Sequence, residues 1–376
     1  MKLPDRCSCS RLTKPTGHGY NTVMSRRCLT PAELRGITME NQKKNNLSHC
    51  GLLFLAAVIW GTAFVAQSAG MEKVGPFTFS SVRFFLGSFA LVPVLSFRLK
   101  KRLRADIGDM SGSDIPLNPG KDPSAFRNRL RLTAMAGIIC GIILAVAANL
   151  QQVAMLDAPA GKAGFLTALY IVLVPILGLF LKKKTSAFTW IGVVVAVVGL
   201  YFLCIGRGGD FHLQGSDILL LGCALVFAVH ILTVDHFNGK GVDGVAVACI
   251  QFFVAGVISF PGMLILDRVS YHMPVSFAAI WDARWPILYA GILSCGVAYT
   301  LQIVGQKDVN PTLASLIMSL ESVTSVIAGM LILSQKLTTD ELIGCALMFG
   351  AILLAQIPSK KSRSDDDHGR THTLTE

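Results

Sequence analysis

Apolar stretches of about 20 residues follow one another from residue 51 to residue 357, with polar turns between them. A helix of that length crosses the hydrocarbon core of a bilayer. The pattern predicts ten transmembrane helices, at 51–70, 76–97, 132–155, 163–181, 187–205, 217–234, 245–266, 286–304, 312–333 and 341–357. The predicted fold class is an all-α integral membrane protein.

Polar segments lie before and after these helices, and one long polar segment separates the second helix from the third. Residues 1–49 are basic and lack the apolar core of a signal peptide, so a disordered tail is expected there. Met39 opens a short basic lead-in and is an alternative start of the protein. Residues 98–131 predict a basic, solvated cytoplasmic loop, and residues 359–376 a disordered cytoplasmic tail.

Composition and charge support a membrane protein with a defined orientation. The chain is 52% hydrophobic and 15% charged, against about 25% charged residues in soluble domains. With a cytoplasmic N-terminus, 27 of the 34 Lys and Arg residues fall on the cytoplasmic side and 6 on the outer side. The positive-inside rule then predicts that both termini lie in the cytoplasm. The predicted location is the plasma membrane. The basic cluster that opens the loop 98–131 has no interleaved aromatic residue, so no nucleic-acid partner is predicted.

An internal repeat relates the two halves of the chain. A shift of 152 positions places Pro159 on Pro311 and Ile191-Gly192 on Ile343-Gly344, although few residues are identical. Other helices of the two halves match in order at other shifts. In the second and seventh helices, Arg83-Phe84-Phe85 aligns with Gln251-Phe252-Phe253. The matched helix order and turn prolines therefore predict that the two halves are diverged copies of one repeat.

Each predicted unit, 50–206 and 215–358, contains five helices. Because five is odd, the second unit enters the membrane from the opposite side, and the two units form an inverted repeat. Transporters built from inverted repeats carry a site between the halves that opens first to one side and then to the other. The topology thus predicts alternating access.

Four stretches resemble the EamA family of the drug/metabolite transporter superfamily: 57–67, 81–95, 299–322 and 329–355. The resemblance implies ten helices in two inverted five-helix halves, a central cavity, and movement of small metabolites or xenobiotics, often outward. The chain departs from the family at two positions. Gln335 stands where family members commonly carry an acid, and Ser322 stands where a proline often follows the glutamate.

Glu321 is the foremost candidate for a functional residue, because it lies in the middle of the ninth predicted helix. An acid at the centre of a membrane helix costs about 3 kcal/mol and therefore needs a compensating role. The carboxylate could hold a cationic or amine-bearing substrate, or carry a coupling proton. The alternatives are a structural hydrogen bond to a neighbouring helix and a silent protonated acid.

Further candidates for the substrate cavity share a polar or aromatic character inside apolar helices: Trp60, Gln67, Arg83, Asn149, Gln152, His230, Tyr299 and Gln302. Helical spacing puts Trp60 with Gln67, Asn149 with Gln152, and Tyr299 with Gln302 on shared faces. Amides at such depth also serve as hydrogen bonds between helices. Arg83 could contact an anion in the cavity or extend to the membrane interface.

The sequence therefore predicts a secondary active transporter that exports a small metabolite, amino acid-like or otherwise polar, with proton coupling left open. No nucleotide-binding loop is present, and neither a cofactor nor a metal site is predicted. Two alternatives are multidrug efflux of lipophilic cations and an integral-membrane enzyme acting on lipid-linked substrates. The acids near the membrane are dispersed singly, which disfavours the enzyme. Pairing with a second copy of the chain stays open.

Overall fold

The structure is a computed structural model that describes residues 31–108, 123–180, 187–204, 213–305 and 317–355. The chain divides into two units, Met1–Ser48 and His49–Glu376, and the packing described below lies in the second. The described residues form helices and no strand: α1 Pro31–Met71, α2 Pro76–Gly108, α3 Pro123–Ala154, α4 Ala160–Ala168, α5 Tyr170–Phe180, α6 Ala187–Cys204, α7 Gly215–Asn238, α8 Gly244–Val269, α9 Phe277–Asp282, α10 Arg284–Leu288, the π-helix π1 Tyr289–Ala298, α11 Tyr299–Gly305, α12 Leu320–Ile332 and α13 Thr339–Ala355.

Several of these helices can cross a bilayer. Among the described residues, six segments are long and apolar enough: Ser48–Met71, Pro76–Arg98, Arg127–Ala154, Ala160–Gly178, Gly215–Asn238 and Gly244–Val269. Two further apolar helices, Trp190–Phe202 and Leu320–Ile332, are shorter. The chain is thus a multi-pass, all-helical membrane protein, and the count of ten spanning helices stays a prediction.

The fourth and eighth predicted helices are interrupted. The fourth begins at Ala160 and breaks at Leu169, whose amide bonds to the carbonyl of Leu166 at 3.3 Å in a tight i→i+3 turn. The eighth contains π1, a 10-residue stretch of wider helix. A π-helix inserts one residue per turn, so it rotates every side chain that follows relative to an α-helix.

Helix extends into segments that the sequence predicts as loop or tail. α1 begins at Pro31, inside the predicted tail 1–49, α2 continues to Gly108, and α3 begins at Pro123. These additions are rich in Leu, Arg, Lys and Glu, which favour helix, and a helix already formed extends at little cost. The remaining parts of those predictions, and the tail 359–376, lie outside the described residues.

Equivalent helices of the two halves pack against each other. α2 contacts α8, α4 contacts α12, and α6 contacts α13. The cross-contacts are also matched, since α3 packs on α8 and π1 packs on α2. At the centre, the ring of Phe84 stacks on Phe252 at 5.9 Å, and Phe85 meets Phe253 at 5.7 Å. The residues that the repeat alignment superposes are therefore in direct contact.

Glycines allow the closest helix contacts. A Cβ added at Gly61 of α1 would lie 2.6 Å from the carbonyl oxygen of Glu321 and 3.0 Å from the amide nitrogen of Ser325, both on α12. A Cβ at Gly199 of α6 would lie 3.0 Å from the amide nitrogen of Met348. Backbone atoms cannot move aside cheaply, so these positions set the distance between helices.

Substituting Gly61 by alanine should therefore destabilise the bundle by about 1–3 kcal/mol, the usual cost of overpacking. The matched control is Gly51→Ala on the same helix, where an added Cβ meets nothing within 4 Å. There alanine should be neutral or stabilising by up to about 1 kcal/mol, because glycine is a poor helix former. The aggregation temperature in detergent, followed by size-exclusion chromatography, measures both variants. Equal temperatures for the two would contradict the close contact.

Polar contacts hold the two ends of the bundle in different ways. At the end where α2 begins, the Pro76 end, the fully buried Asp267 of α8 accepts bonds from the amide of Thr78 at 2.6 Å, its hydroxyl at 2.7 Å and the amide of Phe77 at 3.2 Å. This carboxylate caps α2, whose first-turn amides otherwise lack partners. At the opposite end, the Arg98 end, the partly exposed Arg98 and Asp243 lie 3.9 Å apart.

Candidate functional site

Arg83 and Gln67, both predicted site residues, contact each other inside the bundle. The Nη1 group of Arg83 donates to Oε1 of Gln67 at 2.5 Å, and the two residues are 7% and 5% exposed. The guanidinium also lies over the ring of Phe84, 4.8 Å from its centroid. The side chain of Arg83 therefore turns into the interior, held by α1 and α2 together.

His230 and Tyr299 meet at Gln251, which is not among the residues predicted for the site. The Nε2 atom of His230 and Oε1 of Gln251 are 3.2 Å apart, and the Tyr299 hydroxyl is a further hydrogen-bond neighbour of Gln251. Gln251 is 1% exposed. The repeat alignment holds the signal that could have found this position, because it pairs Gln251 with the candidate Arg83. Three helical elements, α7, α8 and α11, thus contribute one polar group each.

Glu321 lies half-buried in the first turn of α12. Within the described residues its carboxylate has no Lys, Arg or His at ion-pair distance, and its electrostatic neighbour is the hydroxyl of Tyr170. The ring of Tyr170 lies 6.2 Å from Phe227, which in turn lies 6.4 Å from His230. An aromatic connection therefore links the acid to the His230 group.

Trp60 and Asn149 have their polar atoms satisfied by neighbouring helices. The indole Nε1 of Trp60 donates to the carbonyl of Ser294 in π1 at 3.0 Å. Asn149 and Ser259 exchange hydrogen bonds of 2.9 and 3.2 Å between α3 and α8. These contacts fit the structural alternative, in which a polar side chain joins two helices.

Gln152 and Gln302 have different surroundings from Asn149. Gln152 is completely buried, yet neither its amide nitrogen nor its oxygen has a hydrogen-bond partner in the described part of the chain. An unsatisfied buried amide costs about 1–3 kcal/mol, so this group favours a state in which a partner arrives. Gln302 lies half-buried on α11.

A buried ion pair at the Pro76 end was not predicted. The Nζ atom of Lys162 lies 2.8 and 3.0 Å from the two carboxylate oxygens of Asp217, and the residues are 5% and 0% exposed. Because the fourth predicted helix begins at 163, Lys162 is one of the six basic residues that the sequence places in outer connections. α4 begins at Ala160 instead, and Gln335 accepts a bond from that amide at 3.1 Å.

Comparison with known proteins places the chain among transporters. The model of the EamA-like transporter family matches residues 47–205 and again 214–356. An uncharacterized transporter of Archaeoglobus fulgidus is 26% identical over 311 residues, 81% of this chain and 84% of the relative. The threonine/homoserine exporter RhtA of Escherichia coli K12 is 29% identical over 188 residues, 48% of this chain and 57% of RhtA.

A solved crystal structure shares the fold. It superposes with a TM-score of 0.52 at 18% sequence identity, over 82% of this chain and 96% of the other. The family match covers both halves of the chain, and the names of the relatives describe transporters rather than enzymes. The chain is therefore a member of the EamA-like transporter family, of the drug/metabolite transporter type.

Proposed function

We propose that this protein is a secondary active transporter that exports a small polar, amino acid-like metabolite across the plasma membrane by alternating access. It takes a small-molecule substrate into a site between two inverted five-helix repeats, with both termini in the cytoplasm. The observation that carries the proposal is the carboxylate of Glu321, which has no cationic partner among the described residues and lies within the bundle of a transporter-family protein.

The helix packing supports the inverted repeat. Three contacts join equivalent helices, and the contact of α3 with α8 has its counterpart in the contact of α2 with π1. Such a pattern is what a two-fold axis in the membrane plane produces. The axis would run beside the stacked rings of Phe84 and Phe252. A two-fold pair of halves can exchange conformations, which is the basis of alternating access.

The buried contacts at the Pro76 end support a transporter closed to the outside. In the predicted orientation the Pro76 end faces outward, and the buried contacts of Asp267 and of the Lys162–Asp217 pair lie there. At the Arg98 end, two contacts of the described residues lie nearer to solvent: Arg98 to Asp243 at 3.9 Å, and Arg129 to the carbonyl of Gly241 at 2.8 Å. Outward opening would then require the buried contacts to break.

Glu321 supports two roles within this mechanism. An unpaired carboxylate inside a membrane attracts a cation, which can be the amine of a substrate or a coupling proton. The relative named as a threonine/homoserine exporter favours an amine-bearing substrate and export. The alignment with this exporter covers 48% of this chain. The proposal of an amine-bearing substrate therefore depends also on the carboxylate of Glu321.

The test is a comparison of metabolites excreted by cells that express the wild-type protein with those of empty-vector cells. We expect one class of small amine-bearing compounds to accumulate outside the expressing cells. Resistance to lipophilic cations without any excreted metabolite would replace the proposal with multidrug efflux. If the two cultures excrete the same metabolites and the expressing cells take up labelled amino acids faster, the protein is an importer and not an exporter.

A further inference from the structure

The guanidinium of Arg83 donates a hydrogen bond from Nη1, and its Nε–Nη2 edge makes no hydrogen bond to the described residues. Gln67 accepts from Nη1, the nitrogen on the Cδ side of the group. The other edge consists of Nε and Nη2, whose N–H bonds point in the same direction. Nε is buried and has no hydrogen-bond partner, and Nη2 makes no hydrogen bond to the described residues. The unused edge is therefore the one that forms a two-point fork.

In the part of the chain that the structure describes, the surroundings of Arg83 supply no counter-charge. No Asp or Glu of the described chain lies within ion-pair distance of it. Its neighbours are the rings of Phe79 and Phe84 and, further off, the thiols of Cys223 and Cys295. A cation that is 7% exposed inside a membrane protein is costly when it lacks a partner. The site therefore favours an anion that arrives from outside the chain.

A carboxylate fits the unused edge best. Two parallel N–H groups match the two oxygens of a carboxylate, and such forked pairs are stronger and more directional than a single bond. Gln67 fixes the opposite corner and the Phe84 ring supports the plane, so the fork is oriented before a ligand binds. Arg83 lies about 10 Å along α2 from Pro76, at about 1.5 Å per residue, within the membrane-spanning part of the helix.

We propose that the Nε–Nη2 edge of Arg83 binds the carboxylate of the transported substrate, so that the substrate class is a small carboxylate-bearing molecule. This inference rests on the proposed function, because it assigns one group of the same substrate. Phe84, under the guanidinium, packs in the same apolar cluster as Phe227 and Tyr299. The proposed carboxylate site therefore lies beside this apolar cluster, whose rings can contact the uncharged part of a substrate.

The experiment uses the full-length protein in proteoliposomes. An equimolar mixture of isotope-labelled protein amino acids is offered in one assay and the mixture of their carboxamides in another, and uptake is read by mass spectrometry. The carboxamides keep the amine and lose the negative charge. We expect wild-type uptake of one or more of the acids and at least about tenfold less of the corresponding amides.

Variants of Arg83 make the test specific. Arg83→Gln should lower uptake of the acids at least about tenfold. Arg83→Lys keeps the charge but loses the fork, so it should raise KM several-fold while kcat changes less. The control is Arg284→Gln, since Arg284 also lies over aromatic rings but at the surface. Size-exclusion profiles and melting temperatures verify that every variant is folded.

The outcomes separate the two proposals. If Arg83→Lys is folded and transports with an unchanged KM, or if the wild type accepts amides as readily as acids, the carboxylate site is wrong and the transporter stands. If the wild type takes up neither mixture, the amino acid-like substrate is wrong, and the carboxylate site falls with it.

Discussion

Replacing Lys162 by methionine is expected to unfold or strongly destabilise the protein, by about 3–5 kcal/mol. The substitution removes the cation 2.8 Å from a carboxylate that is completely buried. Without Lys162, the carboxylate of Asp217 still bears the cost of its removal from water but no longer has the attraction of the cation. Breaking a buried pair in this way therefore costs more than the intact pair contributes to stability. Folded yield in detergent and the melting temperature measure the effect.

The matched double variant isolates the charge. Lys162→Met combined with Asp217→Asn removes both charges and keeps an acceptor for the amide of Gln214, which bonds Asp217 at 3.2 Å. We expect the double variant to recover most of the lost stability. Lys73→Met, at an exposed lysine of the same end, should leave the protein unchanged. A single variant as stable as the wild type would show that the pair is not buried in the membrane.

The second large effect is expected for Glu321→Gln. Gln keeps the size of the side chain but can neither hold a substrate amine by charge nor release a proton. Export should therefore fall at least about tenfold, a size typical of losing one charged contact worth about 1.4 kcal/mol or more. If the acid also carries the coupling proton, the residual transport should no longer depend on pH.

Excretion at matched membrane levels, repeated at several external pH values, checks this prediction. Asp340→Asn is the control, because Asp340 is an exposed acid in the first turn of α13 and lies away from the proposed site. Export by Glu321→Gln at the wild-type rate and with the wild-type pH profile would assign Glu321 a structural role. The site would then be sought around Arg83 and Tyr299.

Much of the helical framework follows from the sequence because bilayer thickness fixes helix length. The second predicted helix, 76–97, and the Pro76 start of α2 coincide for this reason. The break at Leu169 and the π-helix π1 were not predictable. At both places the spacing of the backbone hydrogen bonds changes within an apolar stretch. The sequence of such a stretch does not show this change, because it has no alternation of polar and apolar residues.

The sequence indicates single candidate residues for the site but not the contacts between them. A charge or an amide inside an apolar stretch is visible in the sequence, which is how Arg83 and Glu321 were selected. The partners lie on other helices: Gln67 is 16 residues from Arg83, and Asp217 is 55 residues from Lys162. Spacing along one helix carries no information on such contacts. The burial of Lys162 could not be predicted, because the carboxylate that compensates its charge lies on another helix.

The packing of equivalent helices has a consequence for biosynthesis. Gly199 of α6 packs on Met348 of α13, so its partner leaves the ribosome about 150 residues later, roughly 8–30 s at ordinary elongation rates. Throughout that interval the inserted first half exposes close-packing faces to lipid and to other nascent chains. Folding of this protein is therefore completed only near the end of translation, and membrane insertases that shelter unpaired helices should act on its first half.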